Sequence, residues 1–207
     1  MGIESQILWR GNITFSEESI SNVANQLISD PRSDDDGVHT SFNIGDIHTR
    51  PEIMYLDQYK HIVSKIIFDL NMSEHTSNFD YWCQVYDGAH TEHMHYTPTC
   101  LLSFVHFIRP VGEFFHFTRP NGQRDYPKQE KGDIIVFPSW TKHSVDPSYG
   151  NQRVVIAANI HFDRVCIDQE ESFSITTVRP GRLYIAENHG QNWKPHPQIT
   201  STQWNLL

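Results

Sequence analysis

KGDIIVFPSWTKHSVDPSYGNQRVVIAANI, residues 131–160, holds the two runs from which the architecture of this chain can be read. GDIIVFP and RVVIAANI are short, rich in β-branched and aromatic residues, and separated by proline, glycine and aspartate, the pattern of two strands joined by turns. His143 lies between them, and Arg153 heads the second run ten positions later (153 − 143 = 10). Alternation along that strand places Arg153, Val155, Ala157 and Asn159 on one face. A guanidinium held there can grip a carboxylate through two parallel hydrogen bonds.

The same pattern continues upstream. YWCQVYD, CLLSFVHFI and GEFFHFT are further short apolar runs, divided by turn sequences such as RPNGQRDYP. Before residue 80 the period changes to that of helices. Ile20, Val23, Ala24, Leu27 and Ile28 recur at helical spacing, with Thr14 and Glu17 spaced as a capping box. A second helix is predicted after Pro51, through Leu56, Tyr59, Val63, Ile66, Ile67 and Leu70, to a stop near Asn71. Helices followed by at least five strands predict an α+β chain, with N-terminal helices buttressing one face of a small sandwich or jelly roll. The expected organisation is a single domain over 1–207, with an N-terminal helical part (1–79), a jelly-roll core (80–171) and a C-terminal extension (172–207).

AHTEHMHYTP, residues 89–98, brings three histidines and a glutamate into six positions. In an extended segment His90 and Glu92 share one face, and His93 and His95 share the other. One metal can use either pair. With His143 as the distant third ligand, each pair makes a three-residue face that leaves coordination positions open for a cosubstrate and oxygen.

HMH at 93–95 followed by LLSFVHFI, then KGDIIVFPSWTKH at 131–143, then RVVIAANI at 153–160, together resemble the Fe(II)- and 2-oxoglutarate-dependent oxygenases. Within them the likeness is to the small phage and bacterial group related to prolyl hydroxylases. The resemblance spans roughly residues 80–162 and implies a cupin-like double-stranded β-helix. It further implies Fe(II) as cofactor, 2-oxoglutarate and O2 as cosubstrates, and hydroxylation of a substrate that could be a peptide or protein side chain. Carried over residue by residue, it makes His93, His95 and His143 the iron ligands and Arg153 the partner of the distal carboxylate, with Asn159 beside it as a cofactor-binding residue. His90, Glu92 and His143 are the alternative set, since the commoner pattern has a carboxylate two residues after the first histidine. A three-histidine site also suits zinc.

Other features narrow the reading. Asp+Glu at 25 against Lys+Arg at 16 give a formal charge of −9, which disfavours nucleic acid as the main partner. Cys83, Cys100 and Cys166 match neither a disulfide framework nor a zinc ribbon and read as reduced thiols; with no signal-like or spanning segment, the expectation is a cytoplasmic protein without a membrane partner. His106, His116 and His161 read as structural histidines. Trp82 and Trp140 read as packing residues, the latter at the barrel mouth with a substrate platform as its alternative, while Gln84 and Tyr86 could line a pocket. Arg153 has a blander reading too, as an exposed partner of Asp146 or Asp163. The competing functional class is a non-catalytic cupin-like module that binds a metal or a small carboxylate.

Overall fold

The computed structural model describes residues 6–35, 37–72, 77–86, 100–147, 152–162, 165–166, 172–179 and 182–186. Two antiparallel sheets enclose the site. The larger is ordered β1 (Trp9–Asn12), β8 (Asp133–Pro138), β5 (Leu102–Arg109), β10 (Arg153–Phe162), β4 (Ser77–Tyr86), β3 (Val38–Thr40) and β2 (Asp34–Asp35). The smaller comprises β7 (Arg124–Asp125), β6 (Phe115–Thr118) and β9 (His143–Val145). Thus residues 9–12 and 38–40, within the stretch read as helical, supply strands to the main sheet. Beyond the barrel, β11 (Val165–Cys166), β12 (Ser172–Arg179) and β13 (Arg182–Ala186) pair in that order.

The central strands are buried on both faces, which is why their sequences run almost continuously apolar. One face of the main sheet carries Phe79, Tyr81, Cys83, Val85, Phe104, Ile134, Val136, Val154, Ile156 and Ile160, and it packs on two helices. These are α1 (Glu17–Ser29), through Ile20, Val23, Ala24 and Leu27, and α2 (Leu56–Asp69), through Tyr59, Ile62, Val63, Ile66 and Ile67. The opposite face turns Val105, Phe107, Ile135, Phe137 and Val155 toward Phe115 and Phe117 of the small sheet.

Two helix starts differ from the sequence expectation. Ser16, not Thr14, caps α1, its Oγ accepting from the Ser19 N–H at 3.2 Å. The turn opened by Pro51 is a 3-10 segment, Pro51–Tyr55, and α2 begins only at Leu56. Proline suits the first turn of either helix type, so its position could not separate them. The predicted stop holds: Asn71 takes a left-handed φ of 56°.

Strand β1 lies along β8 because Gly132, with φ +84°, lets the chains meet; a Cβ there would stand 2.7 Å from the Ile13 carbonyl oxygen. The same carbonyl accepts from His106 Nε2 at 2.7 Å, which leaves Nδ1 to accept from the Tyr59 hydroxyl at 2.8 Å. His106 is therefore a satisfied core residue that fastens α2 and the N-terminal strand to β5, and burial pulls its pKa down to about 4.

Candidate functional site

Arg153 is the first residue of β10 and stands opposite Tyr86, the last of β4. Its alternation with Val154 sends the side chain into the barrel, where it is 1 % exposed. The guanidinium carbon lies 4.3 Å from the centroid of the Tyr86 ring and 6.0 Å from that of Phe114. Tyr86 in turn donates its hydroxyl to Gln84 Oε1 at 3.2 Å. Nε, Nη1 and Nη2 of Arg153 are all buried and, among the described residues, find no well-aligned hydrogen-bond partner. Burial pulls the guanidinium pKa down, and the Tyr86 side chain beside it opposes that only in part. The aromatic faces offset part of the desolvation cost, but five N–H donors are left for an anion to fill. The reading of Arg153 as an exposed ion-pair partner fails here. Asp146 instead accepts from Arg124 and Tyr126, each at 2.6 Å, while Asp163 lies outside the described residues.

His143 opens β9 opposite Phe117 and is 6 % exposed, with its ring 4.9 Å from Phe137 and 5.6 Å from Phe115. Nδ1 lies 2.8 Å from the Thr141 carbonyl oxygen. A carbonyl only accepts, so Nδ1 carries the proton and Nε2 carries the lone pair. Burial between two phenylalanines lowers the pKa to about 4, so the imidazole is neutral near pH 7. A neutral ring with one nitrogen fixed by a backbone acceptor and the other bearing the lone pair is what a metal ligand requires. The other candidate ligands, His90, Glu92, His93 and His95, fall in 87–99, outside the described residues.

Arg153 and His143 line one cavity, with about 490 Å³ of empty space including its mouth. Trp82, Gln84 and Tyr86 contribute its β4 wall, while Val155, Ala157 and Asn159 contribute β10. Asn159 faces inward as alternation predicts, its Oδ1 accepting from Ser103 Oγ at 2.8 Å. Ser103 was not distinguished by sequence; its signal is the register, since it lies directly opposite Asn159 on β5. Gln84 and Tyr86 do line the pocket. Trp82 does so as well, with its edge against Phe42 at 5.1 Å, so its role exceeds core packing. Trp140 departs from expectation: it is 57 % exposed and packs no core.

The three histidines read as structural sit in polar surroundings of their own. His106 has two partners, as described. His116 is buried with Nδ1 3.5 Å from Asp146 Oδ1. His161 follows Asn159 on the inner face of β10, and its Nε2 lies 2.8 Å from Asp80 Oδ1.

No protein family model and no curated protein matches the chain. Solved structures do. A prolyl-4-hydroxylase from Pseudomonas putida superposes with a TM-score of 0.52 at 13 % identity, over 77 % of this chain and 94 % of that one. The non-heme alpha ketoglutarate dependent epimerase SnoN from nogalamycin biosynthesis superposes with a TM-score of 0.53 at 10 % identity, over 80 % of each chain. With helices stacked on the large sheet and a polar cavity between the large sheet and the small one, the chain has the double-stranded β-helix fold of the 2-oxoglutarate–Fe(II) oxygenases.

Proposed function

We propose that this protein is an Fe(II)- and 2-oxoglutarate-dependent oxygenase that hydroxylates a C–H bond, in a peptide or protein side chain by the reading that the prolyl-hydroxylase likeness favours. The observation that carries the proposal is Arg153: a buried guanidinium without a well-aligned hydrogen-bond partner among the described residues, in the same cavity as a neutral histidine whose proton is parked on Nδ1. His93, His95 and His143 are the proposed iron ligands, and His90 with Glu92 is the alternative to the first two. Three neutral imidazoles leave the metal's charge uncompensated, and Arg153 adds a further positive charge. A dianion with two carboxylates offsets both, one at each end, and 2-oxoglutarate is such a molecule.

When bound, iron supplies the O2 chemistry, in which 2-oxoglutarate is oxidised to succinate and CO2 and the second oxygen atom goes to the substrate. The protein's part is orientation and exclusion of water. Arg153, its guanidinium held against the Tyr86 ring, would bind the distal carboxylate. Phe115 and Phe137 hold the His143 ring in place and keep water from it. Asn159, steadied by Ser103, offers polar contact further along the same strand. The buried, reduced thiol of Cys83 is in keeping with action in the cytoplasm.

The test is anaerobic titration of metal-free protein with Fe(II) and then 2-oxoglutarate, followed through the weak visible charge-transfer band of the chelated keto acid. The band is expected in the wild type and absent in His143→Ala. Arg153→Ala is expected to weaken 2-oxoglutarate by roughly 10- to 100-fold, the loss of a charge-assisted pair. Iron binding without the band would transfer the assignment to a metal-binding module without oxygenase activity.

A further inference from the structure

A second cavity, with about 360 Å³ of empty space including its open mouth, lies at the edge of β4 where the 3-10 segments Ile47–Thr49 and Pro51–Tyr55 pack against the strand. Ile47, Ile53, Leu56 and Phe79 form its apolar wall, and Arg50, Glu52 and Asp80 are the charged residues set into it, Asp80 with Oδ1 already against His161 Nε2 at 2.8 Å. Glu52 is 1 % exposed. One carboxyl oxygen, Oε1, accepts from the Ser41 hydroxyl, whose own oxygen accepts from the Cys83 N–H at 2.9 Å. The other, Oε2, is buried and finds no well-aligned hydrogen-bond partner among the described residues. Burial raises the pKa of this carboxyl.

An unsatisfied buried oxygen beside an empty space calls for a partner. Water alone fits poorly, because a buried water needs two to four polar partners and the wall here is mostly apolar. Arg50 spends Nε on the Ile44 carbonyl at 2.9 Å and Nη1 on the Tyr81 carbonyl at 3.2 Å. The Tyr81 hydroxyl donates to the Glu52 carbonyl at 3.3 Å. Apolar walls around one unfilled polar atom are the pattern of a small-ligand site. The Arg50 guanidinium in the same wall disfavours a cationic head group. A hydroxyl head satisfies Oε2 whether the carboxyl is ionised, by donating to it, or protonated, by accepting from it.

We propose that this cavity is an accessory binding site, separate from the His143–Arg153 cavity, for a small neutral alcohol whose apolar body fills the space between Ile47, Ile53, Leu56 and Phe79 and whose hydroxyl meets Glu52 Oε2. It does not depend on the oxygenase reading.

The test is titration of the ¹⁵N-labelled full chain with cyclohexanol, and in parallel with cyclohexylammonium, followed by amide chemical shifts. Saturable shifts confined to residues 47–56 and 79–81 are expected with the alcohol, and weaker binding with the ammonium. Glu52→Leu should weaken cyclohexanol by about 10-fold, the value of one hydrogen bond in an apolar site. Ile47→Trp, on the partly exposed wall, should fill the cavity and abolish binding; it decides the matter if the Glu52 variant does not fold. Shifts that grow linearly with concentration, tighter binding of the ammonium, or equal affinity in Ile47→Trp would each overturn the proposal.

Discussion

The two faces of β10 differ in what they contribute. Val154, Ile156, Ala158 and Ile160 look toward the helices and belong to one continuous apolar core. Arg153, Val155, Ala157, Asn159 and His161 look into the barrel, where the first four border open space. One strand therefore carries stability on its even positions and recognition on its odd ones. The same split divides two histidines with the same lowered pKa. His106, on the helix side, has both nitrogens tied to α2 and the N-terminal segment, whereas His143, on the barrel side, fixes its Nδ1 proton on a carbonyl and lines the cavity.

If the division is real, deleting side chains from the two faces should give different signatures. Ile156→Ala removes a fully buried side chain from the helix-side core and should cost about 2–5 kcal/mol in urea unfolding. Its folded fraction should still bind 2-oxoglutarate within about threefold of wild type. A variant that unfolds no more easily but loses the cosubstrate would erase the distinction between the faces.

The second largest effect concerns pH. Both His106 and His143 have folded pKa values near 4, against an ordinary 6.5. Below pH 6.5 the unfolded chain takes up protons that the folded chain refuses, so stability falls as pH drops, and the loss levels off once the folded histidines titrate near pH 4. By pH 5 the loss should reach about 2 kcal/mol for each histidine in metal-free protein. Added Fe(II) should steepen the slope through His143 and not through His106, because a ligand nitrogen must be unprotonated. An Fe(II)-dependent slope as steep in His143→Ala as in the wild type would show that this residue is not a ligand.

Arg153→Met should move the other way. It removes a buried, unpartnered charge, and the gain outweighs the lost contact with the Tyr86 ring, so the variant should unfold about 1–3 kcal/mol less readily while losing affinity for 2-oxoglutarate. Stability gained as binding is lost is the mark of a residue kept for function. A destabilised variant with normal affinity would make Arg153 a core residue.

Much of this was legible before the structure. The α+β class, the run of strands after residue 80 and the inward set Arg153, Val155, Ala157 and Asn159 follow from period two and turn composition, because every central strand is buried and a one-residue slip would invert both faces; the order of the strands in the sheet does not. Less visible were features that depend on pairing between distant segments. Ser103 gains its place only from its register with Asn159, and Glu52, within a short 3-10 turn, has no periodic signal at all. The helix starts slipped because Thr14 and Ser16 are equally good caps by type, and only packing chooses between them.

Trp140 offers the smallest expected effect and the sharpest limit on such reading. PSW between two strands looks like a packing residue, since an aromatic after an apolar run usually enters a core. The chain instead closes a tight turn there, with the Thr141 N–H donating to the Pro138 carbonyl at 2.9 Å and the Ser139 hydroxyl turned inward onto the Cys100 carbonyl. With both neighbours tied, Trp140 is left at the apex, pointing outward. Trp140→Ala should therefore change stability by no more than about 0.5 kcal/mol and leave 2-oxoglutarate affinity unaltered. A loss above about 1.5 kcal/mol in urea unfolding would show that the indole packs after all, and that the outward face of this turn belongs with the core of the barrel.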